Sequence, residues 1–249
     1  MILRFCLAAA TLLTLSGPVT GPASALDLER RRMLTAEEHK PWKAVGRVNV
    51  AARSEQGMCT GTLIEEDLVI TAAHCVYSSR TGQLYAPGNI HFVAGWRRGS
   101  KVAHRKAAEI AVHPGYKHGS GLSLQQIGSD LALIRLEKPI PEDVAPHFVA
   151  SRFKEPETPL TLISYRRDRA HALTRQDGCD LNGLQGAVVV LNCDVTFGAS
   201  GSPVFAEVDG QQRIVAVISA KGQDKQTRRA LAFAVRLDAT MPTVVTRLR

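Results

Sequence analysis

Between residues 46 and 237 the chain is a succession of short apolar or alternating runs, each closed off by Gly, Pro, Asp or Asn. Alternation with period two puts successive side chains on opposite faces of an extended strand, and breaks every few residues leave no room for long helices. The pattern therefore predicts an all-β protein rich in turns. The expected strands are 46–52, 58–64, 68–71, 90–94, 107–112 and 131–136, then 160–165, 187–193, 202–208, 213–219 and 231–237. Between the two sets lies a stretch rich in proline and charge, 139–156, which reads as a crossing between two β lobes. The end, 239–249, predicts a short helix packed back on the second lobe.

Of the 249 residues, 45% are hydrophobic and 22% charged, enough apolar material for a packed core and a composition unlike that of a disordered chain. The first 25 residues have a character of their own. Arg4 precedes an apolar run at 5–15, and Ala23, Ser24 and Ala25 come after it, which is the charge, length and small-residue cleavage site of a secretory leader. That run is too short to span a bilayer, and Gly17 and Pro18 interrupt the chain just beyond it. The expected organisation is a leader at 1–25, an N-terminal segment or short propeptide at 26–45, a first lobe at 46–145 and a second at 146–249.

Removal of the leader takes Cys6 with it and leaves Cys59, Cys75, Cys179 and Cys193, an even number suited to an oxidising compartment. Three pairings are open to four cysteines. Their clustering along the chain favours Cys59 with Cys75 and Cys179 with Cys193, while structural zinc, the competing use, lacks its two-residue ligand spacing. The formal charge of +8 becomes +7 without Arg4. The adjacent arginines form scattered groups at 30–32, 97–98, 166–167 and 228–229, the pattern of a solvated surface rather than a nucleic-acid footprint. His113 and His118 flank a Pro-Gly turn, and the other histidines outside the motifs below show no ligand spacing, so no metal and no cofactor is implied.

Two strings carry chemistry: T-A-A-H-C at 71–75 and G-A-S-G-S-P at 198–203. A serine hydroxyl is a poor nucleophile at its own pKa and needs an imidazole to take its proton and backbone donors to hold the oxyanion that forms. With G-S-D-L-A-L-I-R-L at 128–136 between them, the two strings resemble, in order and context, the chymotrypsin-like serine peptidases. S-G-S-P after the nucleophile, where digestive enzymes read S-G-G-P, is similar to the bacterial trypsin-like branch that includes the glutamyl endopeptidases.

The resemblance implies two six-stranded antiparallel β-barrels with a short C-terminal helix. It implies a secreted serine endopeptidase that takes a protein or peptide substrate as a monomer, with no nucleic acid, and no membrane once the leader is gone. His74 would be the general base, Asp130 its orienting carboxylate and Ser200 the nucleophile, with the N–H groups of Gly198 and Ser200 as the oxyanion hole. Cys59 and Cys75 would brace the His74 loop, and Ser219 would donate a hydrogen bond to Asp130. Asp194, six residues before Ser200, would lie at the base of the primary pocket and select Arg or Lys. Lys221, two residues after Ser219, would neutralise it or favour an acidic side chain. Ile218 stands where glutamyl endopeptidases carry a histidine. Ala199 stands where digestive members carry the aspartate that pairs with the freed N-terminus, so that switch is absent. Arg30 to Arg32 remains a candidate processing site with a new start near Met33, a solvated basic turn being the other reading. Two alternatives to the endopeptidase stand beside it: a silent or substrate-activated homologue that binds peptides in the same groove, and a non-proteolytic esterase.

Overall fold

A computed structural model describes residues 31–52, 55–154 and 159–248. The expected leader at 1–25 and Arg30 lie outside these residues. The first strand, β1 (Arg31–Met33), joins the sheet of the second lobe. The next six, β2 (Val45–Ala52), β3 (Glu55–Glu65), β4 (Leu68–Thr71), β5 (Ile90–Ala94), β6 (Ala103–Val112) and β7 (Ala132–Leu136), close an antiparallel barrel in the order β2-β3-β4-β7-β6-β5. Alternation along β2 shows why. Val48 and Val50 point inward, while Arg47 and Asn49 between them reach the surface.

The second lobe is built from β8 (Leu160–Arg166), β9 (Arg169–Cys179), β10 (Leu181–Gln185), β11 (Val188–Leu191), β12 (Pro203–Val208), β13 (Gln211–Gln223) and β14 (Ala230–Arg236). With β1 they form an eight-stranded sheet ordered β1-β9-β8-β12-β13-β14-β11-β10. This departs from the six strands expected in two ways. The N-terminal segment adds β1 to the edge of β9, pairing Arg31 with Gln176 and Met33 with Thr174. A single residue, Asp180, separates β9 from β10, and its carbonyl accepts from the Asn192 N–H at 3.0 Å, so the strand bends and carries the sheet round to β11.

Helices are few and short. Among the described residues none is long and apolar enough to cross a membrane. Helix α1 (Ala36–His39) opens on a capping box between Thr35 and Glu38, α2 (Leu124–Gly128) is capped by Ser123, and α3 (Leu237–Val245) is the C-terminal helix, two residues earlier than its sequence suggested.

Three apolar clusters hold the molecule together. One fills the closed barrel around Leu63, Phe92 and Ile134; another lies within the second lobe around Leu160, Val189 and Ile218. The third joins the lobes: Ile70 and Leu133 of the first meet Tyr165, Phe205 and Val217 of the second, with Trp42 stacked 5.6 Å from Phe148 and tilted 5.0 Å from Phe205. Polar links cross the same seam. The Tyr165 hydroxyl donates to the Trp96 carbonyl at 2.8 Å, and the Arg98 N–H to the His171 carbonyl at 2.6 Å.

Candidate active site

Strand β4 runs Leu68, Val69, Ile70, Thr71, all buried, and delivers the chain into a tight helical turn, Ala73–Val76, that presents His74. A disulfide between Cys59 of β3 and Cys75 fastens this turn to the barrel. The second disulfide links Cys179 to Cys193, at the end of β9 and just after β11. A ring nitrogen of His74 and both sulfurs of the first bridge lie within 4.8 Å of one another, but oxidised sulfurs lack the thiolate that binds a metal.

Asp130 comes just after α2 and is nearly fully buried. A carboxylate taken out of water needs donors around it, and three are present. The His74 N–H donates to Oδ1 at 2.8 Å, His74 Nδ1 lies 2.7 Å from Oδ2, and the Ser219 hydroxyl donates to Oδ2 at 2.5 Å. Ser219 reaches this position from β13, at a bulge where its register with β14 shifts between Ile218 and Ala220. Burial pulls the His74 ring towards its neutral form; the Asp130 charge and hydrogen bond outweigh that and leave its pKa above the ordinary histidine value. With Nδ1 committed to the carboxylate, Nε2 is the nitrogen left to accept a proton.

Ser200 sits between two glycines in left-handed conformation, Gly198 at φ +92° and Gly201 at φ +78°. Gly201 has no room for a side chain: a Cβ there would fall 2.2 Å from the Thr60 carbonyl and 2.2 Å from Thr71 Oγ1. The turn that results ties its carbonyls backward. Phe197 O accepts from the Arg167 N–H at 2.7 Å, Gly198 O from the Thr60 hydroxyl at 2.8 Å, and Ser200 O from the Thr60 N–H at 2.9 Å. A trans peptide sets each carbonyl opposite the next residue's N–H, so the bond to Phe197 O directs the Gly198 N–H, and Ala199 O, which accepts from the Ser202 N–H at 3.0 Å, stands opposite the Ser200 N–H. Among the described residues the N–H groups of Gly198 and Ser200 have no partner, and both residues line the groove that His74 also lines. Met58, Arg167 and Tyr85 extend this groove in one direction. A second groove, lined by Tyr116, Leu122, Gln126 and Ser219, leaves His74 in the other. Such a constellation can accept a proton at Nε2, hold the resulting imidazolium against Asp130, and offer two backbone donors to an oxyanion.

Ala199, which stands in place of the family aspartate, is 1% exposed and belongs to the buried apolar cluster of the second lobe that also holds Val195, Cys193 and Leu160. Apolar contact thus occupies a place where an ion pair was absent from the sequence. Asp194 lies on the β1 side of the lobe. Its carboxylate is paired with Arg31 and lies 3.7 Å from Arg166, whose guanidinium also donates to the Asp194 carbonyl at 3.0 Å. Gln176, with its amide turned to suit, brackets the same backbone at 3.0 and 3.2 Å. The cations that meet Asp194 are therefore these two arginines. Lys221 instead stands over the exposed Phe197 ring, 4.7 Å from its centroid, with Arg167 5.5 Å away.

Sequence spacing does not mark Thr60, Arg166 or Arg167. Thr60 and Gly198 are 138 positions apart and meet only because the lobes dock. Outside the grooves, β5–β6 pairing sets His91 Nδ1 2.8 Å from His104 Nε2, a contact that histidine spacing along the chain does not reveal.

Comparison with known proteins agrees with this architecture. The family described as Trypsin matches residues 35–244. Clotting factor C of Tachypleus tridentatus is 35% identical over 88 residues, 33% of this chain and 8% of that protein. Trypsin of Saccharopolyspora erythraea is 30% identical over 146 residues, 57% of this chain and 56% of that one. The chain thus spans well under two thirds of these relatives' lengths. Among solved structures, a Glu endopeptidase in complex with MPD superposes with a TM-score of 0.69 at 17% identity, covering 87% of this chain and 95% of its own. The protease Anisep from Arthrobacter nicotinovorans gives 0.66 at 16% identity, covering 86% and 99%. At such identities the likeness is one of fold. The family match spans well over half of the chain, and it places this protein in the trypsin family of chymotrypsin-like serine proteases.

Proposed function

We propose that the protein is a secreted serine endopeptidase that cleaves peptide bonds through an acyl-enzyme. The observation that carries the reading is the network at His74: Asp130 holds Nδ1 at 2.7 Å and Ser219 holds Asp130 at 2.5 Å, which leaves Nε2 free of the carboxylate on a residue that lines the same groove as Ser200. In this reading Ser200 Oγ attacks the scissile carbonyl as His74 Nε2 takes its proton, and the Gly198 and Ser200 N–H groups hold the oxyanion. The imidazolium then protonates the leaving amine, the C–N bond breaks, and water repeats the sequence to release the acyl group. Two disulfides support export to an oxidising compartment.

Selection of Arg or Lys by Asp194 belongs to the same proposal, with one condition. Arg31 already pairs with that carboxylate, so a substrate cation has to take the place of Arg31.

A fluorophosphonate probe tests the chemistry. Covalent labelling of the wild type and none of Ser200→Ala is expected. An unlabelled wild type would sink the peptidase reading in favour of a silent, peptide-binding homologue, and label without cleavage of a mixed peptide library would favour an esterase.

A further inference from the structure

Ala199 cannot form the ion pair that fixes the nucleophile loop in digestive relatives, yet the loop has a defined path. Part of what holds it comes from the other lobe. Thr60, in β3 directly after Cys59, is fully buried. Its N–H donates to Ser200 O at 2.9 Å and its hydroxyl to Gly198 O at 2.8 Å, while the same hydroxyl accepts from the Tyr165 N–H at 2.9 Å. The Thr60 carbonyl in turn accepts from the Thr71 hydroxyl at 2.8 Å, which ties it to the strand leading to His74.

We propose that Thr60 is a positioning residue: its hydroxyl holds the Gly198–Ala199 peptide, which lies between the two peptide units that carry the unpartnered Gly198 and Ser200 N–H groups, and so keeps those two donors in place as an oxyanion hole. This rests on the peptidase reading above. A hydroxyl has one proton. Given to Gly198 O, it prevents that carbonyl from rotating and swinging the neighbouring peptide units; without it, a buried carbonyl has lost its donor and the loop gains reason to turn towards another. The Arg167 N–H to Phe197 O bond, 2.7 Å, fixes the preceding peptide in the same sense. The Thr60 contacts are between lobes, so this part of the loop's support is present only when β3 is docked on the second lobe.

The test compares Thr60→Val, Thr60→Ala and Thr60→Ser with the wild type, using turnover of p-nitrophenyl acetate and inhibition by phenylboronic acid, whose tetrahedral adduct places an oxygen in the hole. Losing one donor of an oxyanion hole costs about 10² to 10³ in kcat, and loss of a brace behind it is expected to cost about 10- to 100-fold. For Val and Ala, kcat falls by that factor with KM within about threefold, and the Ki of phenylboronic acid rises in parallel. Ser restores both to within about threefold of the wild type, and the acid limb of the pH profile stays in place because His74 is untouched. Should Val fail to fold, Ala and Ser carry the comparison. Wild-type activity with unchanged kcat and unchanged boronate affinity in the folded variants overturns the role of Thr60 alone. A wild type with no esterase turnover and no labelling overturns the underlying reading instead.

Discussion

Ser219 and Asp130 lie 2.5 Å apart, hydroxyl to carboxylate, although one belongs to the second lobe and the other to the first. The carboxylate behind His74 is therefore fixed from both sides of the seam. Asp130→Asn keeps the shape of that side chain but turns a donor towards Nδ1 and forces the wrong tautomer. Its kcat is expected to fall by about 10⁴, as in comparable triads. Ser219→Ala removes one of three donors and is expected to cost about tenfold, in line with the loss of a hydrogen bond to a charge. Steady-state kinetics on both variants checks the order of the two effects.

Under the proposed function, the raised pKa of His74 would set the acid limb of activity. The base works only when neutral, so kcat/KM is expected to rise with pH through an apparent pKa above the ordinary histidine value near 6.5. Asp130→Asn removes the charge that raises it and should move the limb to lower pH. A limb that stays put in the variant would mean that another group controls it.

His39 makes the opposite prediction for stability. It is 5% exposed, and burial together with the Arg97 charge lowers its pKa to about 4. The unfolded chain therefore binds the proton more readily, and stability is present above about pH 6.5 and lost as pH falls towards 4, by on the order of 3 kcal/mol. His74, with a raised pKa, contributes stability that is present at low pH and lost as pH rises through its folded value. Urea unfolding of wild type and His39→Phe from pH 4 to 8 separates them. The acid loss should flatten in the variant, and equal slopes would exclude His39 as its source.

Ala199→Asp would restore the family residue without its partner. The side chain is buried in the apolar cluster of the second lobe, so an uncompensated buried charge is expected to cost about 3–5 kcal/mol. A lowered urea midpoint checks this. An unchanged midpoint would show that some cation reaches the site.

Asp194 and Arg31 make a prediction about specificity. If the carboxylate selects a basic side chain, Arg31→Ala should lower KM for an Arg or Lys substrate by about tenfold, which is ~1.4 kcal/mol, and Asp194→Asn should raise it. Equal KM values in the three proteins would remove Asp194 from the pocket.

Where side chains sort cleanly by polarity, the sequence reading and the structure coincide. Strands at 68–71 and 90–94 have the bounds read from their apolar runs, Leu68–Thr71 being buried throughout. β9 was not legible because its buried positions include Thr174 and Gln176, polar residues that lie inside the lobe and erase the alternation. β13 extends to Gln223, beyond the 213–219 expected, because Lys221, Gly222 and Gln223 continue to pair with β14. The site divides the same way. His74, Asp130, Ser200 and Ser219 act through side chains with recognisable neighbours in sequence. Thr60 and Arg167 meet the loop at 197–201, and Tyr165 meets Thr60, wholly or partly through backbone groups, which every residue owns and no motif records.

The cluster shared by the two lobes has a further consequence for the order in which the chain becomes reactive. A first lobe folded alone would hold His74 and Asp130 without a serine, and a second lobe alone would hold Ser200 on a loop lacking Thr60. Neither half is a partly active enzyme. Under the proposed function, reactivity arrives in one event, when Tyr165 and Phe205 close on Ile70 and Leu133, and a chain caught before that event has nothing with which to damage itself or its neighbours.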